Sequence, residues 1–107
     1  MESVLNWLTN EHATLVHDLA QLVAIPSIST DGAHQNEVEQ SAALTCEQMR
    51  AAGLQNVEVL RTQNSNPYSY GEWLGAPGKP TVFLYAHHDV QPINFEAQWE
   101  SPPWRWT

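Results

Sequence analysis

From Ser3 to Ala24 apolar residues recur three and four positions apart: Val4, Leu8, Leu15, Leu19, Leu22 and Val23, with Trp7 and Val16 beside them. Asn10, Glu11, Asp18 and Gln21 fall elsewhere, so the spacing predicts one amphipathic helix. Pro26 ends it, because its ring disfavours helical geometry at Ile25. The stretch IPSISTDGAHQ, rich in Ser, Thr, Asp and Gly, reads as a loop. A second helix is predicted from Gln35 to Ala52, with Val38, Ala42, Leu44, Cys46, Met49 and Ala52 at its apolar positions. Gly53 is its C-terminal stop. Asn56 to Thr62 sets Val57, Val59 and Arg61 against Glu58, Leu60 and Thr62, which reads as a strand with an edge position open to it. QNSNP is a turn, YSYGEWLG a second strand interrupted at Gly71, and APGKP a tight turn. Thr81 to Ala86 is the most strand-like segment. Its nearly continuous apolar run predicts burial on both faces, as in a helix-covered sheet.

The predicted order is helix, helix, strand, strand, strand, with no repeat, low-complexity tract or linker. One domain over 1–107 fits that length. The expected class is α/β, a layered helix–sheet–helix arrangement.

Charge narrows the partners. Four Lys+Arg stand against 12 Asp+Glu, a net charge of −8. Phosphate-backbone binding needs clustered basic residues, so no nucleic-acid partner is expected. The same charge opposes docking on an anionic membrane surface. Cys46 is the single cysteine, so no internal disulfide forms, which suits a reducing compartment. MESVLNWLTNEH has neither a basic start nor a long apolar run, and no segment approaches the roughly 20 apolar residues of a membrane span. A soluble, cytoplasmic protein is expected.

The chemistry gathers where the strongest strand ends, at His87, His88 and Asp89. Side chains two apart in a strand share a face. If the strand persists to Asp89, His87 and Asp89 point one way and His88 the other. That spacing suits a metal site in which one ring nitrogen binds the ion and a carboxylate accepts the other ring N–H. Zinc is the commonest metal for such N/O ligation. The bland reading is a histidine hydrogen-bonded to backbone at a strand end, and the tripeptide alone leaves both open. Other candidates read as structural. Cys46 falls on an apolar helical stripe, as a buried small thiol does. Glu96 and Glu100 suit a solvated face, and His12 and His17 suit solvent or cap contacts. Trp99, Trp104 and Trp106 suit packing. There is no Gly-rich phosphate loop and no G-x-S-x-G elbow.

Three stretches resemble the M20 family of zinc metallopeptidases, and most of all its dipeptidase branch with the carnosinase-like enzymes. LVAIPSIS, Leu22 to Ser29, resembles the end of that family's first helix and the loop after it. YAHHDVQP, Tyr85 to Pro92, is similar to that branch's Y-G-H-x-D-V-Q-P. WESPP, Trp99 to Pro103, resembles its W-x-S-x-P-F. Order and spacing agree over about residues 1 to 103, and the middle motif is the specific one. Ala86 stands where a glycine is more usual.

The resemblance implies His87 as the first metal ligand. It implies Asp89 as the active-site residue that orients the His87 ring. No role transfers to His88, at the family's variable position. It further implies two zinc ions bridged by an aspartate and a water, a glutamate base acting on that water, a small peptide substrate, and a homodimer for the complete enzyme. The remaining ligands and the base come later in the family's chains, and WRWT departs from the family's continuation after Pro103. The expectation is an N-terminal part of a dipeptidase catalytic domain, inactive alone and poorly stable by itself. Two other functions compete: a small non-catalytic binding protein using the Trp-rich tail, and an N-acyl amino acid deacylase of the same family.

Overall fold

A computed structural model describes residues 1–107. In chain order it contains helix α1 (Glu2–Asn10), helix α2 (His12–Val23), a 3-10 turn (Gly32–His34) and helix α3 (Gln35–Ala51). Strands β1 (Gln55–Leu60) and β2 (Tyr68–Glu72) follow, then a second 3-10 turn (Glu96–Gln98).

The first predicted helix is in fact two. The break sits at Glu11, with φ −91° and ψ 5°. Glu11 N–H still donates to Trp7 and the Leu15 amide to Glu11, so the axis bends rather than stops. The cause is local. Thr9 Oγ1 turns back to donate to the Leu5 carbonyl at 3.0 Å, a contact that bends helices. Asn10 next to it is a poor helix former.

α3 follows its predicted span closely. The Gly53 amide donates to Arg50 O and the Leu54 amide to Met49 O, and Gly53 has φ +87°. This is the Schellman arrangement, which needs a left-handed residue just past the helix. α3 buries Val38, Ala42 and Cys46. It packs on the antiparallel β1–β2 hairpin, where Glu58 pairs Tyr70, Val59 pairs Ser69 and Leu60 pairs Tyr68. A bulge interrupts the register between Gln55 and Glu58. Asn56 occupies it at φ +50°, a conformation that asparagine tolerates. Contrary to the expected interruption, β2 runs through Gly71. A Cβ at Gly71 would lie 3.1 Å from both Leu54 Cδ2 and Val57 Cγ2, so the glycine lets the strand pack closely. Ser69 Oγ donates to Ala42 O on α3 at 2.9 Å, and Gln48 Nε2 donates to Asp18 O on α2 at 2.9 Å.

The sheet is smaller than expected. Thr81 to Ala86 forms no strand. Val82, Phe83, Leu84 and Tyr85 are 76–87% exposed, and no backbone hydrogen bond engages the segment. Sequence propensity favours an extended chain there, but a strand exists only through a paired neighbour, and the hairpin offers none alongside it. The predicted helix–sheet–helix layering is correspondingly reduced to helices on one hairpin. Seven residues of 107 are buried. The Cα radius of gyration is 16.3 Å, against about 13 Å for a compact domain of this length. No helix is long and apolar enough to cross a membrane.

Candidate functional site

Residues 87 to 90 leave the exposed segment and dock against the loop after α2. The Val90 amide donates to Ser27 O at 3.1 Å, and Ile28 and Val90 form a parallel bridge. The His88 carbonyl oxygen accepts from Ser27 Oγ at 3.1 Å and from Ser41 Oγ, on α3, at 3.0 Å. Both serines are fully buried, where a hydroxyl must find a partner. Two donors on one carbonyl fix the backbone of this turn in place.

The two histidines then diverge. His88 faces inward, with Nδ1 3.1 Å from Ser41 Oγ and Nε2 3.3 Å from Pro67 O. His87 faces outward, its side chain 76% exposed. Its Nδ1 lies 2.9 Å from Asp89 O and 3.1 Å from Asp89 Oδ1. Both neighbours are acceptors, so the ring proton sits on Nδ1. The Nε2 lone pair is left available, the state in which imidazole binds a metal.

Asp89 divides its carboxylate. Oδ1 meets His87, and Oδ2 accepts a short hydrogen bond from Ser29 Oγ. The Ser29 hydroxyl is the main cause holding the Asp89 carboxyl below the usual carboxylate range. Partial burial opposes it, and a backbone hydrogen bond and His87 add smaller lowering effects. Leu19, Leu22 and Val23 on α2 wall one side of an open depression of about 170 Å³ that His87 and Asp89 complete. The site is therefore a polar turn beside an apolar shelf.

The His87–Asp89 contact and the opposite orientation of His88 lie where the two-residue alternation put them, although no strand runs through them. Cys46 is buried. Glu96, Glu100, His12 and His17 are exposed. Trp99 donates Nε1–H to Asn94 O at 3.1 Å, and Trp99 and Trp106 stay about half exposed. Ser27, Ser29 and Ser41 escaped the sequence reading. Ser27 and Ser29 stand two apart around an apolar residue in PSIS, a pattern that signals two hydroxyls on one side of an extended segment.

The residues present fit one arm of a metal centre. No group of three or more His, Cys, Asp or Glu is placed to hold an ion, whereas a catalytic zinc takes about three protein ligands.

No family model matches the chain. It is 26% identical over 98 residues to the Cys-Gly metallodipeptidase DUG1 of Saccharomyces cerevisiae, which covers 81% of this chain and 20% of the relative. It is 28% identical over 97 residues to Cys-Gly metallodipeptidase dug1 of Schizosaccharomyces pombe, covering 83% and 20%. A solved structure of the di-peptidase Dug1p from Saccharomyces cerevisiae superposes with a TM-score of 0.80 at 23% identity, over 97% of this chain and 24% of that one. The chain spans about a fifth of the length of the curated relatives it matches. It is thus similar in sequence to proteins named as metallodipeptidases, and it shares the fold of part of one such structure.

Proposed function

We propose that this chain is one part of a zinc-dependent dipeptidase of the M20 kind, and that His87 supplies a metal ligand through Nε2. The observation that carries the reading is the two-acceptor environment of His87 Nδ1, which leaves Nε2 unprotonated on an exposed ring. The similarity to Cys-Gly metallodipeptidases supports a short peptide as substrate.

Each residue of the turn has a task in this reading. Asp89 accepts the Nδ1–H and sets the ring plane. Its ionised state makes it the better acceptor and raises the basicity of Nε2. The buried hydroxyls of Ser27 and Ser41 hold the His88 carbonyl, so the backbone between His87 and Asp89 keeps one conformation. Leu19, Leu22 and Val23 lower the local polarity beside the ring. A bound zinc supplies polarisation of the scissile carbonyl and a water acidified towards neutral pH. The other ligands and the base lie outside these 107 residues in this reading, so the chain alone hydrolyses nothing.

The test is a pair of assays. The complete polypeptide that includes this chain should cleave Cys-Gly, and His87→Ala should lower its zinc content and cut kcat/KM by a hundredfold or more, on the order of a removed essential group. Turnover by the isolated 107-residue chain, or full activity and zinc content in His87→Ala, would overturn the proposal.

A further inference from the structure

We infer that Ser29 is a positioning residue, whose hydroxyl anchors the Asp89 carboxylate so that it holds His87 in the Nδ1–H tautomer. The inference rests on the reading of His87 as a ligand only for its functional meaning; the geometry stands by itself.

An orienting carboxylate must itself be fixed. Asp89 has a side chain 34% exposed, and its backbone is tied down on both sides, by the His88 carbonyl and the Val90 amide. Those bonds leave the side-chain torsions free. Oδ2 has one partner in the chain, Ser29 Oγ, and that contact spans 60 positions. Ser29 is in turn held on a stiff stem. Ile28 before it is buried and bridges to Val90. The Ser29 carbonyl accepts from Asn66 Nδ2 at 3.4 Å. The hydroxyl thus transmits the position of the α2–α3 loop to the carboxylate, and the carboxylate transmits it to a ring that is otherwise in solvent. Without it, Asp89 Oδ1 is free to rotate away, the Asp89 backbone oxygen at 2.9 Å is left as the one acceptor on Nδ1, and the balance shifts towards the Nε2–H form that imidazoles favour in water. That form masks the metal-binding lone pair.

The ring nitrogen shifts of His87 in the metal-free complete polypeptide that includes this chain, read by 15N NMR well above the ordinary imidazole pKa of about 6.5, report the tautomer and require no metal. The wild-type ring should be Nδ1–H. Ser29→Ala should lower the ratio of Nδ1–H to Nε2–H about tenfold, as loss of one hydrogen bond to a charged group implies. Ser29→Thr keeps a hydroxyl and should retain the wild-type ratio. Ser29→Val, of the same shape as Thr, should lose it. Circular dichroism checks that each variant keeps its helices, and if Ser29→Ala does not fold, the Thr and Val pair decides. A wild-type tautomer ratio in folded Ser29→Val overturns the inference and leaves the metal reading standing. A Ser29-dependent ratio in a complete protein that binds no zinc overturns the metal reading alone.

Discussion

Ser41 Oγ donates to the His88 carbonyl oxygen across 3.0 Å, although 47 positions separate the two residues. The contact joins α3, the most buried helix of the chain, to the turn that carries His87 and Asp89. The site is in this way an extension of the α3 core rather than a loose loop. Ser41→Ala removes one of the two donors on that carbonyl and the hydroxyl facing His88 Nδ1. A buried hydrogen bond contributes about 1 kcal/mol, so exchange of the Val90 amide should accelerate about fivefold if local opening governs it. Unchanged protection at Val90 would show that Ser27 holds the turn unaided.

Glu72 uses both carboxylate oxygens within the hairpin. Oε1 accepts from Asn56 Nδ2, and Oε2 accepts from the Tyr70 hydroxyl at 2.7 Å. The Tyr70 hydroxyl, then Asn56, hold the Glu72 carboxyl below its ordinary value, while Glu72 pushes the Tyr70 hydroxyl up. A depressed carboxyl contributes stability above its unfolded value, about 4.3 for Glu, and the contribution disappears as pH falls through the folded value. A raised phenol contributes below about 10, and its contribution disappears as pH rises through the folded value. The hairpin should therefore be firmest between those limits. An NMR titration should show the Glu72 carboxyl rising towards its ordinary value in Tyr70→Phe, and no rise would mean the contact does not persist in solution.

Gly53 tests the helix stop. Nothing lies within 4 Å of a Cβ built there, so the cost of a side chain is the left-handed backbone alone. Gly53→Ala should destabilise the α3–β1 connection by about 1 kcal/mol, with Gly53→Asn costing less. The comparison is read from hydrogen exchange of the Leu54 amide, which donates to Met49 O and should exchange about fivefold faster in Gly53→Ala. Equal protection in Ala and Gly would contradict the Schellman geometry.

The unpaired run from Thr81 to Tyr85 should govern solubility. It is mostly apolar, uncharged, unpaired and exposed, the features of an aggregation-prone strand edge. The isolated chain should aggregate at micromolar concentration and lack a sharp cooperative unfolding transition, since so little of it is buried. Phe83→Lys should raise the soluble fraction severalfold, measured by light scattering. A wild-type chain that stays monodisperse and melts sharply would contradict the reading.

What the sequence made legible was what neighbours along the chain decide. The amphipathic spacing located the helices, Gly53 stopped α3, and the alternation from His87 to Asp89 brought ring and carboxylate together because the contact is only two positions long. The hidden parts depend on distant partners. Thr81 to Ala86 has every local mark of a strand, but pairing is a property of two segments. Ser29, Ser27 and Ser41 reach their partners across 60, 61 and 47 positions; the two-apart spacing of Ser27 and Ser29 sets their hydroxyls on one side, but no local pattern names the distant partner. The bend at Glu11 was hidden because apolar spacing continues through it while Thr9 redirects a backbone bond.

The most direct measurement is a zinc-edge anomalous diffraction map of the complete protein. The expected result is a zinc peak at about 2.0–2.1 Å from His87 Nε2, the ordinary zinc–imidazole distance, with Nδ1 still turned to Asp89. A zinc peak in a site that the His87 ring does not reach would contradict the assignment.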